Sequence, residues 1–157
     1  MFRIVPADLD APDVIAMLDV HVTRARAESG LGSSHALDRS GLKSPAVRVW
    51  TLHDAERLAG IGALMRLNAE HGEVKSMYTA ESHRRRGVAR IMVEHIIAEA
   101  RAAGFSRLSL DTGSWPYFKP AVALYRSHGF TECQPFGDYV PDPNSVFMTL
   151  ELKTGSP

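Results

Sequence analysis

One cysteine, Cys133, in 157 residues leaves no partner for an intrachain disulfide and no thiolate set for zinc. An excess of either charge is equally lacking. Lys and Arg number 18, as do Asp and Glu, so no overall field recruits nucleic acid or an anionic membrane. No apolar run approaches the roughly 20 residues of a membrane span. The opening Met1–Pro6 is too short for a signal sequence, so a reducing cytoplasm is the expected location. Internal repeats and low-complexity tracts are missing, as are the Gly-Lys-Ser/Thr of a P-loop and the Gly-x-Gly-x-x-Gly of a dinucleotide turn. The histidines have no metal-ligand spacing. His71 and His128 each precede a glycine, and His95 falls on the apolar face of a helix, so no metal is expected. What remains, 45% apolar and 23% charged residues, is the composition of an ordinary globular chain with one hydrophobic core.

The apolar pattern lays out the elements. Phe2–Val5 reads as a first strand. Asp10-Ala11-Pro12-Asp13 carries helix-start chemistry, with a capping Asp, and Val14, Leu18, Val22 and Ala25 repeat at helical spacing until Gly30. His35 to Pro45 reads as a short helix and a turn. Val47–Leu52 and Leu58–Leu67 are strands, Asn68–Gly72 a turn, and Glu73–Thr79 the returning strand of an antiparallel meander. Val88, Ile91, Met92, Ile96 and Ala100 line a long helix closed by Gly104. Arg107–Thr112 is a strand, Pro120–Ser127 a helix ending at Gly129, and Phe130–Cys133 and Ser145–Leu152 are strands. The pattern predicts one α+β domain over 1–152 and a frayed tail over 153–157.

Arg84-Arg85-Arg86-Gly87-Val88-Ala89 stands between the strand ending at Thr79 and the long helix. A glycine turn at a helix start exposes unpaired N–H groups, and the helix dipole adds partial positive charge. Arginines beside that nest supply charge-assisted bonds to phosphate oxygens, so its natural occupant is a pyrophosphate.

The spacing Arg-x-x-Gly-x-Ala, in the order strand, turn, helix, resembles the acetyl-CoA-binding motif of the GNAT superfamily of N-acetyltransferases. Ala121-Val122-Ala123-Leu124-Tyr125, with Gly129-Phe130 following, resembles a second segment of that family. Gly72–Met77, Leu108–Ser114, Phe118–Ala121, Pro135–Tyr139 and Asp142–Met148 extend the resemblance to the small bacterial YsnE-like acetyltransferases. The resemblance implies a GNAT fold: a mixed, mostly antiparallel sheet splayed between its fourth and fifth strands, with helices on both faces. It implies acetyl-CoA as cosubstrate, held by the backbone at Met77, Tyr78 and Thr79 and by the turn Arg84, Arg85, Arg86, Gly87, Val88 and Ala89. Phe118 stands where relatives often place an Asn, and Thr112 or Ser114 is the replacement for that polar contact. Tyr125 would lie near the thioester sulfur as general acid. Glu73 takes the place of a general base, with Asp111 and then His35 as further choices. His35, Asp111, Phe136 and Tyr139 would form the acceptor side.

The expected reaction is direct transfer of an acetyl group to a primary amine, a small molecule or amino acid in preference to a protein N-terminus or lysine. A homodimer is compatible with that family. A CoA-binding regulatory module without turnover, or a nucleotide-phosphate binder using the same turn, would also keep Arg84–Ala89.

Overall fold

The computed structural model describes residues 1–30 and 32–152; the expected tail, 153–157, lies outside the described residues. Strands β1 (Phe2–Pro6), β2 (Val47–Asp54), β3 (Arg57–Arg66) and β4 (His71–Thr79) form the antiparallel meander, and β5 (Arg107–Gly113) continues the sheet parallel to β4. The chain ends with β6 (Thr131–Glu132) and β7 (Ser145–Glu151), and β7 inserts between β5 and β6, giving the order β1-β2-β3-β4-β5-β7-β6. The expected mixed, mostly antiparallel sheet forms, and β4–β5 is its parallel pair.

Helices cover both faces. On one, α1 (Pro12–Ala27) and α2 (Arg39–Leu42) bury Val14, Met17, Leu18 and Leu42 against Ile61 and Ala63. On the other, α3 (Val88–Ala102) and α4 (Lys119–Ser127) pack Met92, Ile96, Ala100 and Tyr125 over Leu64, Leu108, Leu110 and Met148. Gly62 makes the close approach of α3 possible: a Cβ there would stand 2.6 Å from Met92 Cγ and 2.9 Å from Ile96 Cδ1. No helix among the described residues is long and apolar enough to cross a membrane.

Both helix ends that the sequence marks with glycine close as expected. Gly104 adopts φ 85° after α3, and Phe105 N–H reaches Ala100 O at 3.1 Å. Gly129 adopts φ 96° after α4, with Phe130 N–H on Tyr125 O at 3.1 Å. The start of α1 differs from expectation. Ala11, whose methyl group has no acceptor, is its N-cap, and the Asp10 carboxylate before it goes instead to Lys43 Nζ at 2.8 Å and Arg39 Nη1 at 3.1 Å. Two salt-bridge donors outcompete the backbone amides for that carboxylate. His71 is the first residue of β4 instead of a turn residue, its Nε2 bonded to Ser109 Oγ at 2.7 Å across the parallel pair.

The sheet opens where β4 leaves β5. The two strands pair only from His71↔Arg107 to Val74↔Leu110. β5 runs on beside β7 to Gly113↔Ser145, and β4 runs on beside β3 to Thr79↔Gly60. A bulge drives the divergence. Ser76 has φ 58°, and the β3–β4 register shifts between Ile61 and Ala63, which face Tyr78 and Lys75. On its β5 side, the backbone of β4 beyond Val74 therefore has no strand partner.

Candidate active site

The splay opens into a cavity of about 600 Å³, within the range that holds a small organic ligand. Its floor is the free part of β4, Lys75 to Thr79; its far wall is β5 from Leu110 to Gly113. The start of α3 and the turn before it form one end. The other end is roofed by His21, by Ser33–Ala36 and by Asn144. Asn144 ties that roof together, donating to Ser33 Oγ at 3.3 Å and accepting from Trp115 Nε1 at 2.8 Å.

The turn before α3 is an anion nest in its backbone angles. Arg85 at φ 63° and Gly87 at φ 84° both lie in the left-handed region, and Gly87 caps the helix without side-chain help. The first amides of α3 thus point out of the helix unpaired. Met77, Tyr78, Thr79, Arg84, Arg85, Gly87, Val88 and Ala89 all border the cavity. Arg86 does not. Its guanidinium reaches Asp54 Oδ2 at 3.4 Å and lies over the Phe2 ring, on the outer side of the turn. Arg90, in the first turn of α3 and four residues after Arg86, borders the cavity in its stead, a placement helical periodicity offered but the motif did not. His83 is a second addition. Buried behind the turn, it bridges Ser82 Oγ at 2.8 Å and Asp54 Oδ2 at 3.0 Å and so braces the nest.

Tyr125 borders the cavity from α4 and is 5% exposed. Its hydroxyl has no hydrogen-bond partner among the described residues, while its ring sits edge-on to Phe130. Burial pushes the phenol well above its ordinary value, so it keeps its proton at working pH. Phe118 also borders the cavity, its ring laid on the backbone of Gly113, where a Cβ would come within 2.1 Å of Phe118 Cδ2. Of the two polar replacements, Thr112 borders the cavity, whereas the Ser114 hydroxyl is spent on Pro143 O at 2.7 Å.

Glu73, Phe136 and Tyr139 are not on the cavity wall. Glu73 is 1% exposed, its Oε2 accepting from Tyr139 OH at 2.6 Å and from Lys75 Nζ at 3.3 Å. Burial raises its carboxyl; Lys75 and the Tyr139 hydrogen bond oppose that rise. Lys75, 8% exposed, spends its remaining donors on His35 O at 3.1 Å and Tyr139 OH at 2.9 Å. Tyr139 packs on Phe136 and Phe147, and burial followed by the nearby Glu73 carboxylate pushes its phenol upward. This group pins Phe136 and Tyr139 onto the sheet, off the cavity wall. The sequence missed Lys75 as its hub, although a lysine at an inward strand position between Val74 and Met77 was a visible signal.

His35 and Asp111 do border the cavity and meet each other through Nδ1 and Oδ2. Burial raises the Asp111 carboxyl, and the hydrogen bond with His35 opposes it. His21, opposite, is held down to about 4 by burial and secondarily by Lys75.

Similarity to other proteins coincides with this architecture. Residues 19–130 match the acetyltransferase (GNAT) family. The chain is 46% identical over 145 residues to the uncharacterized N-acetyltransferase YsnE of Bacillus subtilis, covering 92% of this chain and 96% of that protein. It is 40% identical over 121 residues to an IAA acetyltransferase of Azospirillum brasilense, covering 76% and 78% of the two chains. Among solved structures it resembles an acyl-CoA N-acyltransferase of Klebsiella pneumoniae, with a TM-score of 0.77, 27% identity, and 97% and 98% of the chains covered. The chain thus belongs to the acetyltransferase (GNAT) family as an acetyl-CoA-dependent N-acetyltransferase.

Proposed function

We propose that residues 1–152 form one catalytic unit that acetylates the primary amine of a small molecule by direct transfer from acetyl-CoA. A single observation carries this reading: the unpaired edge of β4, the left-handed nest before α3 and Tyr125 all border one cavity. The pantetheine arm adds to β4 like a short extra strand along Met77 to Thr79. The diphosphate sits on the amides from Gly87 to Ala89, with Arg84, Arg85 and Arg90 as its charge partners. An amine enters from the His21 and Ser33–Ala36 side and attacks the thioester carbonyl. Backbone N–H groups freed at the bulge near Met77 stabilise the tetrahedral oxyanion. Tyr125 then gives its proton to the departing sulfur.

Glu73 serves in this scheme as the counter-charge of Lys75 and the acceptor of Tyr139, because its Oε2 is taken by both and it does not border the cavity. The roof over the acceptor end favours a small amine over a protein N-terminus or a lysine side chain, since a polypeptide needs an open groove. The similar Azospirillum brasilense protein puts IAA into any acceptor panel.

The test is release of CoA thiol from acetyl-CoA by the purified protein across amines, amino acids, IAA and short peptides. Acyl transfer to a small amine is the expected result. Tight CoA binding without thiol release from any of them would leave a regulatory module, and turnover confined to peptides would reassign the acceptor.

A further inference from the structure

The splay leaves one carboxylate oxygen stranded. Asp111 is the first residue of β5 beyond the last β4 pairing, Val74↔Leu110, so it stands at the apex of the opening. Its side chain is 8% exposed. Oδ2 meets His35 Nδ1, but Oδ1 is buried with no hydrogen-bond partner among the described residues. An ionised carboxylate only accepts, so the missing partner is a donor. Lys75 cannot supply it, because its three N–H bonds go to Glu73, Tyr139 and the His35 carbonyl. A ligand that satisfies Asp111 must therefore bring its own N–H and, in so dry a place, positive charge.

We infer that the Asp111–His35 pair docks the acceptor as an alkylammonium ion, Asp111 Oδ1 taking first its hydrogen bond and then its proton. The inference rests on the acetyltransferase reading and narrows the acceptor class. Aliphatic primary amines, cationic at neutral pH, fit; arylamines, neutral there, leave the carboxylate uncompensated. Other charged and titratable groups around the pair do not compete for Oδ1. Lys75 and Glu73 on β4 compensate each other, Tyr139 is bound to Glu73, Ser145 on β7 lies near the carboxyl without a hydrogen bond to Oδ1, and Asp142 faces His35 from the outer loop. His21 across the cavity stays neutral and adds no repulsion.

The protons balance. One N–H bond of the ammonium breaks as an O–H bond forms at Asp111 Oδ1, and the freed electron pair makes the bond to the acetyl carbon. The C–S pair goes to sulfur, which takes the Tyr125 proton. The second N–H proton restores the phenol, and the Asp111 proton leaves to solvent past half-buried His35.

The experiment takes the most active alkylamine from the acceptor screen and aniline as a neutral comparison. Asp111→Asn should lower kcat/KM for the alkylamine about 100-fold or more while leaving CoA affinity within about twofold. His35→Gln should cost less and shift the ascending limb of the pH profile of kcat/KM. Retention of kcat/KM to within about threefold in Asp111→Asn overturns the inference, as does equal use of aniline by the wild type. Should Asp111→Asn fail to fold, the wild-type preference between alkylamine and aniline and the His35→Gln pH profile decide the matter. Absence of thiol release with every amine sinks the parent reading, a result distinct from an active Asp111→Asn enzyme.

Discussion

Replacing Tyr125 by Phe deletes one oxygen and no packing. The ring remains edge-on to Phe130 at a centroid distance of 5.6 Å, and the lost hydroxyl leaves no protein partner unpaired among the described residues. Folding stability should therefore change by less than about 0.5 kcal/mol, the range of substitutions that break no named contact. Turnover should respond differently. Without the phenol the sulfur must leave as a thiolate in an apolar pocket, and loss of a positioned acid costs roughly 10²–10⁴ in rate, about 3–5 kcal/mol of barrier. Affinity for CoA should be nearly unchanged, because burial keeps Tyr125 neutral and it contributes no charge to ground-state binding. Thiol-release kinetics, calorimetric CoA affinity and thermal melting separate the three effects. A Tyr125→Phe enzyme with kcat within about twofold of wild type refutes the acid role. A fall in CoA affinity matching the fall in rate would show a binding residue instead.

Lys75→Met should destabilise the fold by about 3–5 kcal/mol in urea unfolding, since it strands the buried Glu73 carboxylate, while Lys75→Met with Glu73→Gln should recover much of that loss; equal losses in both would deny the pairing. His21 sets an acid limb. Its folded-state value of about 4 lies below the ordinary 6.5, so the unfolded chain takes up the proton first as pH falls. Its contribution is whole above pH 6.5 and declines by about 3 kcal/mol by pH 4, so His21→Gln should lose less stability than wild type over that interval. Parallel curves for the two proteins would place the acid sensitivity elsewhere.

The glycine turn before α3 and the strand leading to it were legible in the sequence because local chemistry makes them. Gly87 must take a positive φ, the arginines flank it, and the strand and helix around them have unmistakable periods. Arg86 went astray because a motif gives side-chain type but not direction; Asp54, 32 residues earlier, claims it. The same limit applies to Asp10, whose carboxylate is drawn off by Arg39 of α2 and by Lys43 just after it. On the acceptor side, the contacts join residues 64 to 111 positions apart: Lys75 with Tyr139, His35 with Asp111, Asn144 with Ser33. No periodicity encodes such pairings. They follow from the β4 bulge at Ser76 and from β7 inserting beside β5, neither of which a linear pattern shows.

The most direct test of the account is calorimetric titration of acetyl-CoA into wild-type protein and into Gly87→Glu. A glutamate at φ 84° carries the left-handed strain of about 1–2 kcal/mol and sets a negative charge in the nest. The account predicts one-site binding by the wild type and a loss of about 100-fold or more in the variant, with its fold intact by circular dichroism. Binding of equal strength in both, or no heat from either, would contradict it.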